Sequence, residues 1–145
     1  ERPELINEIS RKYGSQCVVL SIDARKRKDG AYEVFSHAAS KATGLDPVLW
    51  ARQGSERGAG EVLITSIERD GWLQGYDLEL CNKVSVGVPV PVLILGGAGN
   101  WKHFADGFEN TVAAAVCTQN IFHFTEKSVR SAKQFLHKRG IDVRL

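Results

Sequence analysis

The chain has 145 residues, with 19 Lys and Arg against 17 Asp and Glu for a formal net charge of +2, and 43% of its residues are hydrophobic. This describes one globular domain over residues 1–145, and the interspersed, balanced charges leave no basic footprint for DNA or RNA. The longest apolar stretch, residues 84–98, is broken by Gly87, Pro89, Pro91, Gly96 and Gly97 and falls short of the ~20 residues of a membrane span, so neither nucleic acid nor membrane is expected as a partner.

Residues 1–14 read as a helix, with Pro3 in its first turn, Leu5, Ile6, Ile9 and Tyr13 on one face and Gly14 at its end. Residues 17–22 form an apolar, β-branched run without alternation, predicting a strand covered on both faces that ends in Asp23-Ala-Arg25. The Lys-Asp-Gly turn within 26–30 and the extended segment 31–35 predict a projecting hairpin. Asp46-Pro47 carries the cap and first-turn signature of a helix bearing Val48, Leu49 and Ala51 that ends at Gly58-Ala-Gly60.

Residues 61–66 read as the next strand, followed by a loop over 67–75 and a helix over 77–84. Residues 90–95 form a third strand ending at Gly96-Gly-Ala-Gly99, and Trp101, Phe104 and Phe108 make a helical face after it. Residues 112–117 are a fourth strand. Thr118-Gln-Asn120 and Phe122-His-Phe124 follow, then a helix over 125–139 that buries Val129, Ala132, Phe135 and Leu136 and is capped by Gly140. The alternation predicts an α/β fold with parallel strands and crossover helices, whose chemistry sits in loops at the carboxyl ends of the strands.

Those loops hold the unusual residues. Asp23, at a strand rim, suits general acid/base work; the plain alternative is an Asp that caps a turn or pairs with Arg25. Asp70, in Thr65-Ser-Ile-Glu-Arg-Asp-Gly71, supplies a second carboxylate on the next strand's loop, with Glu68 and Asp77 as candidate capping or structural acids. The turn Gly96-Gly97-Ala98-Gly99 before a helix offers backbone N–H groups to an anion, or serves only close strand–helix packing. Together with Thr118, Gln119 and Asn120 it resembles the phosphate cup after the last two strands of a (β/α)8 barrel.

His37, His103, His123 and His137 have no mutual ligand spacing, so no metal and no cofactor is expected. His123 reads as part of a packed turn and His137 as a polar-face residue near a helix end. Cys17, Cys81 and Cys117 are odd in number and far apart, which predicts a reduced, cytoplasmic compartment. Cys17 reads as a buried small hydrophobe within its strand. Trp72 is a large aromatic in the loop after Asp70-Gly71, read as stacking on a ligand, covering a mouth, docking on another subunit or simply exposed. No methionine occurs in the chain and no secretory leader is expected, so the expectation is that upstream sequence is missing or precedes the numbering.

Several segments together resemble the C-terminal half of the cyclase subunit of imidazole glycerol phosphate synthase. They are Gly14-Ser-Gln-Cys-Val-Val-Leu-Ser-Ile-Asp-Ala-Arg25, Lys41-Ala-Thr-Gly44, Gly58-Ala-Gly-Glu-Val-Leu-Ile-Thr-Ser-Ile-Glu-Arg-Asp-Gly71, Gly75-Tyr-Asp77, Gly96-Gly-Ala-Gly99, Phe122-His-Phe124 and Arg139-Gly-Ile-Asp-Val-Arg-Leu145. The resemblance implies a parallel (β/α)4 half of a TIM barrel, corresponding to strands five to eight. It implies Asp23 as one of two catalytic aspartates, Thr65, Ser66, Asp70 and Gly71 lining the substrate mouth, and Gly96, Gly97, Gln119 and Asn120 holding a terminal phosphate. Glu61 would belong to a charged gate for ammonia delivered by a glutaminase subunit.

The family pattern differs here at Leu95, where a small hydroxyl residue is usual, at Thr118-Gln-Asn120, at Glu68 and at Trp72. Bulk at Leu95 and Thr118-Gln-Asn120 is expected to narrow the phosphate cup. The other catalytic aspartate, a catalytic lysine and the second phosphate site of the family belong to the half that this sequence does not contain. A half-barrel exposes its inner face and sheet edges, so a dimer or higher homo-oligomer binding a phosphorylated small molecule is expected. The alternatives are a non-catalytic phosphate-binding or assembly module, and a fragment of the cyclase or of its polysaccharide-amidation relative.

Overall fold

The computed structural model describes residues 2–119, 121 and 128–145. Its elements run α1 (Glu4–Tyr13), β1 (Val19–Lys26), β2 (Tyr32–Ser36), β3 (Lys41–Ala42), α2 (Pro47–Glu56), β4 (Glu61–Ser66), α3 (Leu78–Gly87), β5 (Val92–Leu95), α4 (Trp101–Asn110), β6 (Ala115–Val116) and α5 (Val129–Lys138). One sheet has the order β3-β2-β1-β4-β5-β6. Strands β1, β4, β5 and β6 are parallel, and β2 and β3 are an antiparallel hairpin on β1. This is the parallel-dominated α/β arrangement of a partial barrel wall.

Helix starts follow the capping chemistry written in the sequence. Asp46 accepts from the Val48 and Leu49 N–H groups at 2.8 and 2.9 Å, ahead of Pro47. Asp77 accepts from Leu80 N–H at 3.1 Å and Asn100 from His103 N–H at 3.1 Å. Each satisfies an N–H that a helix start leaves without an intrahelical partner.

Side chains alternate across a strand, and the registers line up one parity against the helices: Ile22, Ile64 and Ile94 stand side by side, each no more than 1% exposed. With Ala51, Leu80, Cys81, Val84, Phe104 and Ala105 they form the core. The other parity lies on the opposite face. There Ser21, Leu63, Leu93 and Ala115 share one row, none of them buried, and Val19 is half exposed. One face of β1 is therefore open, correcting the expectation of a strand covered on both sides.

Four further expectations change. Cys17 lies in a single 3-10 turn, Ser15–Cys17, ahead of β1; it is exposed and donates Sγ–H to Tyr13 O at 3.3 Å. The backbone is extended from Val18, and register pairing with β4 begins at Val19 against Glu61. Strand β1 continues past Asp23 to Lys26 because the returning hairpin pairs with residues 23–26. Strand β6 shrinks to Ala115–Val116, since β5 offers partners only at Leu93 and Ile94. Val129, at the first turn of α5, is 56% exposed, whereas Ala132 and Leu136 are buried, because its side chain borders the open groove between α4, β6 and the carboxyl-terminal segment. The expectations for Asn120 and residues 122–127, including the His123 turn, fall outside the described residues.

The cysteines differ in a measurable way. Burial pushes the Cys81 thiol up to about 12 and raises Cys117 as well, so neither supplies much thiolate near neutrality. Under native conditions a maleimide is expected to label Cys17 at least tenfold faster than Cys81. Mass-resolved labelling kinetics check this, and equal rates would show that the helix–sheet interface opens freely.

Candidate functional site

The carboxyl ends of β1, β4, β5 and β6 point to one rim. At the end of β4, Ser66 O accepts from the N–H groups of Arg69 and Asp70 at 3.2 and 3.0 Å, forming a tight turn that carries Asp70 outward. At the end of β5, Gly96 and Gly97 have φ of +98° and +100°, a region open to glycine and costly for other residues. A Cβ on Gly96 would stand 2.7 Å from Ser66 O, and one on Gly97 would collide with Gly75 O. Gly75 N–H donates to Gly97 O at 2.7 Å. The glycine loop and the turn 71–75 are thus backbone to backbone.

Between them lies a recess lined by Asp70, Gly71, Leu73, Leu95, Gly96, Gly97, Ala98, Cys117, Thr118 and Gln119, with about 10 Å³ of free volume, room for about one water. Tyr76 fixes its far wall by donating Oη–H to Cys117 O at 2.9 Å. Asp70, Gly71, Gly96, Gly97 and Gln119 come together here; Asn120 lies outside the described residues. Leu95 and Gln119 occupy the walls where narrowing was expected from their bulk.

Asp23 and Thr65 do not line the recess. They stand in one register with Leu95 on the open face of the sheet, beside the recess. Both plain readings of Asp23 fail in the structure: it sits within β1 instead of capping a turn, and Arg25 lies over the Phe35 ring at 4.9 Å. Among the described residues the Asp23 carboxylate has no hydrogen-bond or ion-pair partner. Ser66 is buried at 1% exposure and shapes the rim through its carbonyl. Glu61 stands at the amino end of β4, the opposite end of the sheet.

Trp72 is 68% exposed, between Gly71 and Leu73, which both line the recess. Leu73 has φ of +58°, unusual for a residue of its bulk. Among the described residues no group of three or more His, Cys, Asp or Glu is placed to hold a metal ion, and no helix is long and apolar enough to cross a membrane.

One cluster near the rim escaped the sequence reading. Tyr32 Oη donates to both carboxylate oxygens of Asp77 at 2.9 and 3.0 Å, and Glu79 accepts from Lys26 at 2.6 Å and Lys83 at 2.8 Å. Both ammonium groups lie within 5.5 Å of the Tyr32 ring centre. The cluster clamps the hairpin to the start of α3. Glu79–Lys83 is legible as an i,i+4 pair, but the links to Tyr32 and Lys26 span 45 and 53 residues of sequence and leave no local signal.

Hydrogen bonds from Lys26 and Lys83 hold the Glu79 carboxyl at about 2. This contribution to stability is present above the usual carboxylate range and is lost as pH falls toward 2. Burial, reinforced by Asp77, raises the Tyr32 phenol above its usual 10, so its contribution is present below pH 10 and is lost as pH rises above that. Tyr32→Phe is expected to flatten the alkaline decline of stability between pH 10 and 11.5, and denaturant midpoints at each pH measure this. An unchanged slope would place the proton linkage elsewhere; Tyr76 is also raised by burial.

The profile of the family described as "Histidine biosynthesis protein" matches residues 1–128. The chain is 50% identical over 145 residues to the protein named "Imidazole glycerol phosphate synthase subunit HisF" of Chlorobium limicola; the match covers all of this chain and 57% of the relative.

Proposed function

Because the chain belongs to the family of histidine biosynthesis proteins, we propose that it forms half of the mouth of an ammonia-dependent cyclase of the imidazole glycerol phosphate synthase type. In that reaction, ammonia and a phosphoribulosyl-formimino aminoimidazole carboxamide ribotide give imidazole glycerol phosphate, an aminoimidazole carboxamide ribotide and one water. The observation that supports this most directly is the pair of left-handed glycines at the end of β5, facing Asp70 and Gln119 and flanked by the Asp23–Thr65 row.

In this reading Asp23 is the general acid/base, and its freedom from partners among the described residues leaves the carboxylate available for proton transfer. The amides of Gly96 and Gly97, with Gln119 and Asn120, take a terminal phosphate, aided by the N-terminus of α4. Thr65, Ser66, Asp70 and Gly71 line the mouth. A glutaminase subunit would feed ammonia past Glu61 from the amino end, and the compartment is the cytoplasm.

The open row of Ser21, Leu63, Leu93 and Ala115 requires a second half-barrel over it. The chain spans 57% of its relative's length, so that cover is either further sequence of a longer barrel or, for this chain alone, a second copy. A dimer would set two Asp23 residues around one mouth. The left-handed glycine pair also suits a second reading, a phosphate-binding or assembly module without turnover.

Light scattering across a concentration series, followed by turnover with free ammonia, tests the proposal. A dimer or dimer of dimers with ammonia-dependent product supports the cyclase. A stable monomer without product ends that reading for the isolated chain, and a phosphate-dependent rise in Tm would then identify the binding module.

A further inference from the structure

The glycine loop is fastened by a side chain that lies outside the recess. His103, in the first turn of α4, accepts the Gly99 N–H on Nδ1 at 3.1 Å, and Asn100 Nδ2 lies 3.3 Å from its Nε2. Its ring stands 3.5 Å from where a Cβ on Gly75 would sit. One imidazole therefore touches the glycine loop, the cap of α4 and the turn whose Gly75 N–H is bonded to Gly97 O. The Asn100 orientation is fixed, because its Oδ1 accepts from His103 N–H. With Nδ1 accepting from Gly99 N–H, the neutral ring carries its hydrogen on Nε2, and protonation at Nδ1 sets a second donor against that N–H.

We propose that His103 is a positioning residue for the anion site: its neutral imidazole holds the glycine loop against the turn 71–75, and protonation of the ring releases it. The anion site is the phosphate cup of the preceding reading, on which this inference rests. Burial lowers the ring's pKa below the ordinary histidine value, with Asp106 opposing and Lys102 reinforcing that shift. The turn packed against the ring carries Arg69 and Asp70 at its start and Asp77 at its end, and the glycine loop carries no charge. Just past the end of α5, which packs against α4, Arg139 is engaged with Glu109 at the far end of α4.

The test is an NMR titration of the 15N-labelled chain from pH 8 to 5, with sulfate affinity measured at pH 8. Sulfate keeps its charge over this range, so the ligand does not titrate. The Gly99 amide is expected to move with the His103 ring, at a midpoint below that of an exposed histidine. In His103→Asn the side-chain oxygen stands where Nδ1 stood, so the amide shift should become independent of pH while sulfate affinity is kept. In His103→Leu the acceptor is gone, and affinity should fall about fivefold, the fold-change that one net hydrogen bond carries.

A Gly99 amide that ignores the His103 titration overturns the proposal, as does equal sulfate binding by the Asn and Leu variants. Absence of sulfate binding in all three proteins, with the Gly99 amide still following His103, supports the fastening and overturns the phosphate reading.

Discussion

Asp23→Asn is expected to lower ammonia-dependent turnover by about 10²–10⁴-fold, the range that a general acid/base contributes, while leaving the unfolding midpoint nearly unchanged. The two halves of this expectation have one cause. Asp23 makes no hydrogen bond or ion pair among the described residues, and it is half-buried on the open face, paired through its backbone with β2 and β4. Asn keeps the shape and the strand pairing but cannot exchange the proton. Turnover at saturating ammonia, with a denaturation curve on the same sample, separates the effects. A large loss of stability would make Asp23 a structural acid, and unchanged turnover would remove it from the chemistry.

Gly97→Ala is expected to cost about 2–4 kcal/mol and to abolish anion binding at the recess. At φ of +100° any side chain is strained, which by itself costs about 1–2 kcal/mol. The added Cβ would also meet Gly75 O, the partner loop's backbone, which cannot swing aside as a flexible side chain would. The loop must then separate from the turn and lose the Gly75–Gly97 hydrogen bond. Gly30→Ala is the control: its φ is +86°, but its Cβ would meet nothing within 4 Å, so only the conformational cost of about 1 kcal/mol applies. Chemical denaturation of both variants measures the difference. Equal costs would mean that the two rim loops are not locked together.

What the sequence made legible follows from how local each signal is. Asp46-Pro47 and Asp77 act on N–H groups two or three residues away, so these caps declare themselves within a window of four residues. The parallel sheet follows from apolar runs separated by helix-length segments. The limits of β4, residues 61–66, emerged as read, whereas those of β1 and β6 did not: β1 grows by pairing with the hairpin, and β6 keeps only the two residues in register with Leu93 and Ile94.

The site divides in the same way. Gly96 and Gly97 were legible as a glycine-rich turn between a strand and a helix, where left-handed backbone costs glycine little. That Asp70 joins them while Asp23 stays on the sheet face was not legible, since the loop after β4 folds back on Ser66 O through hydrogen bonds that carry no sequence signature. The bonds from Tyr32 to Asp77 and from Lys26 to Glu79 likewise depend on approaches that only the folded chain creates.

The hairpin has a consequence for how any covering half must seat itself. Strand β2 occupies one edge of β1 from Asp23 to Lys26, leaving only the stretch 19–22 of that edge for an incoming strand. A strand sliding toward the rim would run into β2, so the hairpin is a mechanical stop that limits the alignment of the seam. In a sheet, a shift of one residue turns every inward side chain outward. By blocking travel in one direction, a projection outside the chemistry would help decide which residues of such a covering half come to face Asp23.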